Sequence, residues 1–109
     1  MSAKLIYVTT PSREAAEQIA ETTVCERLAA CANIFDGVLS LFHWDGKLCR
    51  ENETVLMLKT TQEQCDALMA RIKELHSYEC PCIVSLPIEN GNPDFLKWIS
   101  DSVEASGIE

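Results

Sequence analysis

The sequence predicts an α+β sandwich of the split βαβ kind, one antiparallel sheet with two helices on one face, followed by a C-terminal helix. Three observations predict it. First, β-prone runs and amphipathic stripes follow one another as strand, helix, strand, strand, helix, strand, helix. Second, Asp45-Gly46 lies between the two central β-prone runs, where the pair supplies the positive φ of a tight hairpin turn. Third, Tyr7-Val8-Thr9-Thr10 before the first helix echoes Leu58-Lys59-Thr60-Thr61 before the second, as two βαβ halves sharing one kind of junction would. The first six elements are the ferredoxin-like arrangement.

Leu5 to Thr9 is the first strand. It runs into Thr10-Pro11, where Thr is suited to cap a helix and Pro to its first turn. Ala16, Ile19, Ala20, Thr23, Val24 and Arg27 recur every three or four residues, an amphipathic helix of about four turns. Ala32 to Trp44 reads as one long strand, bent or bulged at Asp36-Gly37. A strand from near Leu48 to Thr60 returns antiparallel to it. Thr61 with Gln64 fits a capping box, and Cys65, Leu68, Met69, Ile72 and Leu75 form the stripe of a second helix ending near His76. Cys82 to Leu86, between Pro81 and Pro87, is the fourth strand. Asn92-Pro93 then opens a third helix with Phe95, Leu96, Trp98, Ile99 and Val103 as its stripe, and the tail beyond Val103 has little to bury.

At 109 residues the chain is one domain, with an ordered core expected over about residues 4–103. A 47% hydrophobic share with 24% charged residues is that of a folded protein. Seventeen acidic against nine basic side chains give a net charge of -8, which repels phosphate backbones and anionic lipid, so neither nucleic acid nor membrane is an expected partner. The N-terminal apolar run is too short for a signal peptide and no run reaches spanning length, so the cytoplasm is the expected compartment. There the six cysteines are expected reduced, with Cys65 packing as a small hydrophobe.

Catalytic signatures are missing from the sequence. No Ser sits in a Gly-x-Ser-x-Gly elbow, the four glycines are scattered rather than gathered into a phosphate loop, and His43 has no catalytic set beside it. An acylphosphatase-like hydrolase shares the element order but needs an anion-binding loop, and Pro11 removes an N–H from the junction where it would sit. The strand from Val55 to Lys59 has no aromatics on which RNA bases stack. The densest set of possible metal ligands is His76 with Glu79, Cys80 and Cys82, imidazole and thiolate both suiting borderline and soft cations. Two readings of it stand: a metal site, or a helix-end histidine beside packed cysteines. No cofactor is required by either. The two long strands exceed what so small a fold needs, so their surface calls for cover by other subunits, with Phe42, Trp44, Tyr78 and Trp98 as candidate anchors, Trp98 fitting a place in the core equally well.

Six blocks together resemble the CutA divalent-cation-tolerance family: Thr9-Thr10-Pro11, Arg27 to Ile34, Trp44-Asp45-Gly46-Lys47, Leu58-Lys59-Thr60-Thr61, His76 to Pro81 and Phe95 to Ile99. They stand in the family's order from about Leu5 to Val103. The resemblance implies a homotrimer similar to the PII signalling proteins, a part in tolerance of copper and other divalent cations, and no enzymatic reaction. Some members are described as binding copper through a first-strand cysteine and a histidine pair at the end of the second helix. Those positions here are Val8 and Leu75-His76, leaving His76 from that set, with Cys80 and Cys82 as compensating ligands. The alternative function is a PII-like small-molecule sensor or scaffold, with ligand clefts between subunits.

Overall fold

The structure, a computed structural model, describes residues 2–104. Residues 105–109, where the tail was expected to bury little, lie outside the described residues. The elements are β1 (Ala3–Thr10), α1 (Arg13–Cys25), β2 (Cys31–Trp44), β3 (Lys47–Thr61), α2 (Gln62–Leu75), β4 (Ile83–Ile88) and α3 (Pro93–Glu104). One four-stranded sheet has the order β2-β3-β1-β4, with every neighbouring pair antiparallel. The expected α+β architecture is the one observed.

Alternation along β1 and β3 decides which face is core. Ile6 lies opposite Leu58 and Val8 opposite Leu56, and all four are fully buried. The α1 stripe supplies Ala16 and Ile19 to the same cluster, and α2 supplies Cys65, Leu68 and Ile72. Burying a side chain such as Leu58 is worth about 1.5–3 kcal/mol, so this face is the main source of stability. Ala3 has the opposite parity from Ile6 and Val8, and it belongs to a second cluster with Ala30, Ile99 and Val103. α3 therefore covers one end of the other face.

The turn and the bend fall where the sequence placed them. Asp45 and Gly46 take φ of 55° and 76°, the geometry of a type I′ hairpin turn. The β2–β3 register shifts between Phe35 and Val38, with Gly37 at φ 73° in the bulge.

Several end signals resolve differently. Ser12, not Thr10, caps α1: its hydroxyl accepts from the Ala15 N–H, while the Thr10 hydroxyl donates to the Thr54 carbonyl. Thr61 makes no side-chain cap for α2, because it is still a β3 residue paired with Ala3, and the Gln62 N–H donates to the Ser2 carbonyl instead. α1 ends at Cys25, and Arg27 lies beyond it at φ 61°, its guanidinium donating to the Ser102 carbonyl of α3. Pro87 belongs to β4 rather than ending it; β4 is an edge strand, where a missing N–H costs no ladder bond. Only part of the α3 stripe faces inward: Ile99 and Val103 are buried, whereas Phe95 and Trp98 are 41% and 45% exposed and stack on each other at 5.4 Å.

Candidate functional site

β1 stops pairing with β3 at Thr54, and past the bulge β2 and β3 pair only with each other, from Val38–Glu53 to Trp44–Lys47. The result is a two-stranded ribbon that contributes to a molecule of 46 × 28 × 21 Å. An isolated two-stranded ribbon is marginal in water. This one is also apolar on both faces: alternation puts Val38, Phe42 and Trp44 on one side and Leu39 and Leu41 on the other. Trp44 is 67% exposed, Leu48 61% and Leu41 52%. His43, across from Leu48, is exposed on the same ribbon. At the root, the Asp36 carboxylate accepts from the Arg13 guanidinium and the Thr54 hydroxyl, fixing the bulge to the start of α1.

The sheet face opposite α1 and α2 is only partly covered by α3. Val84 and Leu86 of β4 and Phe35 of β2 are exposed hydrophobics on strands that are both sheet edges. Tyr7 sits between Val84 and Met57 in the cross-strand register, and Leu5 between Leu86 and Lys59, so the exposed side chains form part of one broad surface. Apolar surface beside open strand edges is what another chain covers.

The segment from His76 to Cys82 holds the sequence's candidate ligands. His76 ends α2 and is 9% exposed. Its Nε2–H donates to the Thr9 carbonyl at 2.7 Å and its Nδ1 accepts the Tyr78 N–H at 3.1 Å, which fixes the tautomer and occupies both ring nitrogens. The Tyr78 ring packs on the imidazole at 4.8 Å, and its hydroxyl donates to Glu53 at 2.9 Å. Burial, and then the Glu53 hydrogen bond and charge, push the Tyr78 phenol up to about 12. Cys80 and Cys82 are both exposed. Among the described residues, no three His, Cys, Asp or Glu side chains converge. A closed four-ligand site for a divalent ion does not fit these residues as they stand; the two exposed thiols do fit a soft ion.

Two shallow depressions adjoin these features. One, of about 360 Å³, is lined by Met69, Ala70, Lys73, Glu79, Cys80, Pro81 and Ile83. The other, of about 350 Å³, lies between the start of β1, the end of β4 and Leu96 of α3. Val8 is fully buried and Leu75 packs against the same core, so two positions where the family resemblance would look for copper ligands are filled by apolar packing. The sequence named Tyr78 as an interface anchor but did not pair it with Glu53, which is 25 residues away and on no shared periodicity.

The family profile described as "CutA1 divalent ion tolerance protein" matches residues 4–102. The chain is 41% identical over 99 residues to the divalent-cation tolerance protein CutA of Thermus thermophilus, covering 91% of this chain and 96% of that one. It is 38% identical over 102 residues to the chloroplastic Protein CutA 1 of Oryza sativa, covering 94% of this chain but 58% of that longer one. The crystal structure of CutA from Xylella fastidiosa superposes with a TM-score of 0.92 at 33% identity, covering 94% of this chain and 99% of that one. CutA from Archaeoglobus fulgidus, described as periplasmic, superposes at 0.89 with 42% identity, covering 93% and 98%. Profile, sequence and superposed backbone all span nearly the whole described fold, and the chain belongs to the CutA1 divalent ion tolerance family.

Proposed function

We propose that the chain works as a homotrimer in the tolerance of divalent cations, copper among them, and catalyses no reaction. The observation that carries the assembly is the ribbon of residues 38–53, whose exposed Leu39, Leu41, Phe42, Trp44 and Leu48 lie on a two-stranded element too thin to bury them itself. The open sheet face with Phe35, Val84 and Leu86 extends the same need. Relatives named for divalent-cation tolerance support the cation reading, and a net charge of -8 gives the surface a potential that concentrates cations. His76, Cys80 and Cys82 are the residues through which we propose that metal acts. The six cysteines are free thiols, the state a reducing cytoplasm maintains, and that is the compartment we propose.

The test is a titration of metal-free protein with Cu(II), followed by native mass spectrometry. A trimer that takes up a fixed number of ions per chain is expected. A protein that takes up no ion at any excess contradicts the cation reading.

A further inference from the structure

We infer that the β2–β3 ribbon is held pre-aimed for assembly by two side-chain clamps at its root, Arg13 on Asp36 and Tyr78 on Glu53, which act as positioning residues. The inference rests on the assembly reading above and adds what sets the direction of the ribbon.

The root has the makings of a hinge. β1 supports β3 as far as Thr54, the next rung, Val38–Glu53, is already ribbon, and the register shifts between Phe35 and Val38. Gly37 lies in that bulge at φ 73°, and a Cβ there would meet nothing within 4 Å, so no packing around it resists a swing. Two strands joined to a sheet through such a bulge bend and twist unless side chains hold them. Every orientation they visit is given up when a partner covers Trp44 and Leu48, and that ordering opposes association.

Each face of the root carries a clamp from outside the hairpin. Thr54 shares the parity of Leu56 and so belongs to the face that α1 and α2 cover. There its hydroxyl donates to Asp36 at 3.2 Å, and Asp36 also accepts from the guanidinium of Arg13 at the start of α1. Arg13 is itself steadied by Glu17, one turn on, at 2.8 Å. Glu53 is the neighbour of Thr54 in β3, so its side chain points to the opposite face, where it accepts from the Tyr78 hydroxyl at 2.9 Å. Tyr78 is a stiff arm: its N–H donates to His76 Nδ1, its ring packs on that imidazole at 4.8 Å, and His76 Nε2–H is anchored on the Thr9 carbonyl. One clamp grips β2 and the other β3, from opposite faces, so a swing in either direction stretches one of them. An exposed bridge adds little to the stability of a fold, whereas a pair that fixes one orientation lowers the ordering cost of association. Assembly therefore depends on the clamps more than folding does.

The test compares the wild type with Arg13→Ala, Tyr78→Phe and the two substitutions together, each checked by circular dichroism for an intact fold. In the double variant the concentration at which half the chains are assembled, read by analytical ultracentrifugation, is expected to rise about tenfold, with a smaller rise in each single variant. The orientation itself is read in a background of Trp44→Lys with Leu48→Lys, where the ribbon has no cover. Amide exchange over residues 38–53 is expected to quicken there when both clamps go, while exchange over β1 stays as it was. Unchanged assembly in the folded double variant overturns the inference and leaves the assembly reading in place. Exchange that quickens equally in β1 and the ribbon also overturns it, since that marks a loss of overall stability. A wild type that is a single chain at every concentration overturns both.

Discussion

The Tyr78 hydroxyl donates a 2.9 Å hydrogen bond to Glu53 Oε2, joining the segment that follows α2 to the root of the β2–β3 ribbon. The two residues come from parts of the chain with different tasks, one beside the cysteine pair and one at the base of the surface proposed for assembly.

Tyr78→Phe removes that bond and leaves the ring contact with His76. A hydrogen bond to a charged acceptor at a partly exposed site is worth about 1 kcal/mol, and urea unfolding near neutral pH should show a loss of that size. The pH dependence has a definite sign. The folded protein holds the Tyr78 proton up to about 12, whereas an unfolded tyrosine releases it near pH ~10. Stability from this group is therefore complete below about pH 10 and is lost as pH rises through 12. The tyrosinate absorbance of the wild type minus that of Tyr78→Phe should titrate near 12; a midpoint near 10 refutes the bond's role.

Gly37→Ala should cost about 1 kcal/mol from backbone strain alone. Its φ is +73° and a Cβ there meets nothing within 4 Å, so no clash contributes. Gly91 provides the control: φ is not positive there and a Cβ would approach Leu96 no closer than 3.4 Å, so Gly91→Ala should stay within about 0.5 kcal/mol. Equal effects in urea unfolding count against a bulge that depends on positive φ.

Leu58 and Leu48 separate fold from assembly. Leu58 is fully buried within the chain, and Leu58→Ala should cost about 2–5 kcal/mol at any protein concentration. Leu48 is 61% exposed in the single chain, where truncation costs at most about 0.5 kcal/mol. Covered by a partner, it costs more, and the loss grows on dilution because subunit association is part of the measured stability. Thermal unfolding across a hundredfold range of concentration distinguishes the two outcomes.

The cysteines should label in order of burial. Cys25, Cys80 and Cys82 are exposed, Cys31 and Cys49 are intermediate, and Cys65 is buried in the main core. A thiol-specific reagent read by peptide mass spectrometry should modify Cys80 and Cys82 promptly and Cys65 only on unfolding. Labelling of Cys65 as fast as Cys25 contradicts its role as a packed hydrophobe.

Signals carried by neighbouring residues were legible in the sequence. Asp45-Gly46 and Asp36-Gly37 reveal a turn and a bulge because the required φ is a property of the residues themselves. The apolar periods of α1 and α2 likewise report a core face. Helix ends were less legible, since Thr10 and Thr61 have capping side chains but the fold gives them other work: a hydroxyl bond to the Thr54 carbonyl and a place in β3. Phe95 and Trp98 lie on the hydrophobic side of α3 by period, yet the single chain leaves them stacked in the open, because periodicity does not say whether the covering surface belongs to the same chain. The candidate site was legible in composition only. Nothing in the spacing of His76 indicates that the Thr9 carbonyl, 67 residues away, and the Tyr78 N–H take both its nitrogens.

The most direct test of assembly through the ribbon is the native mass of the wild type beside Trp44→Lys with Leu48→Lys. A wild-type mass of about three times 12.2 kDa, falling to 12.2 kDa in a still-folded double variant, is predicted. A wild type that runs as a single 12.2 kDa chain contradicts the account.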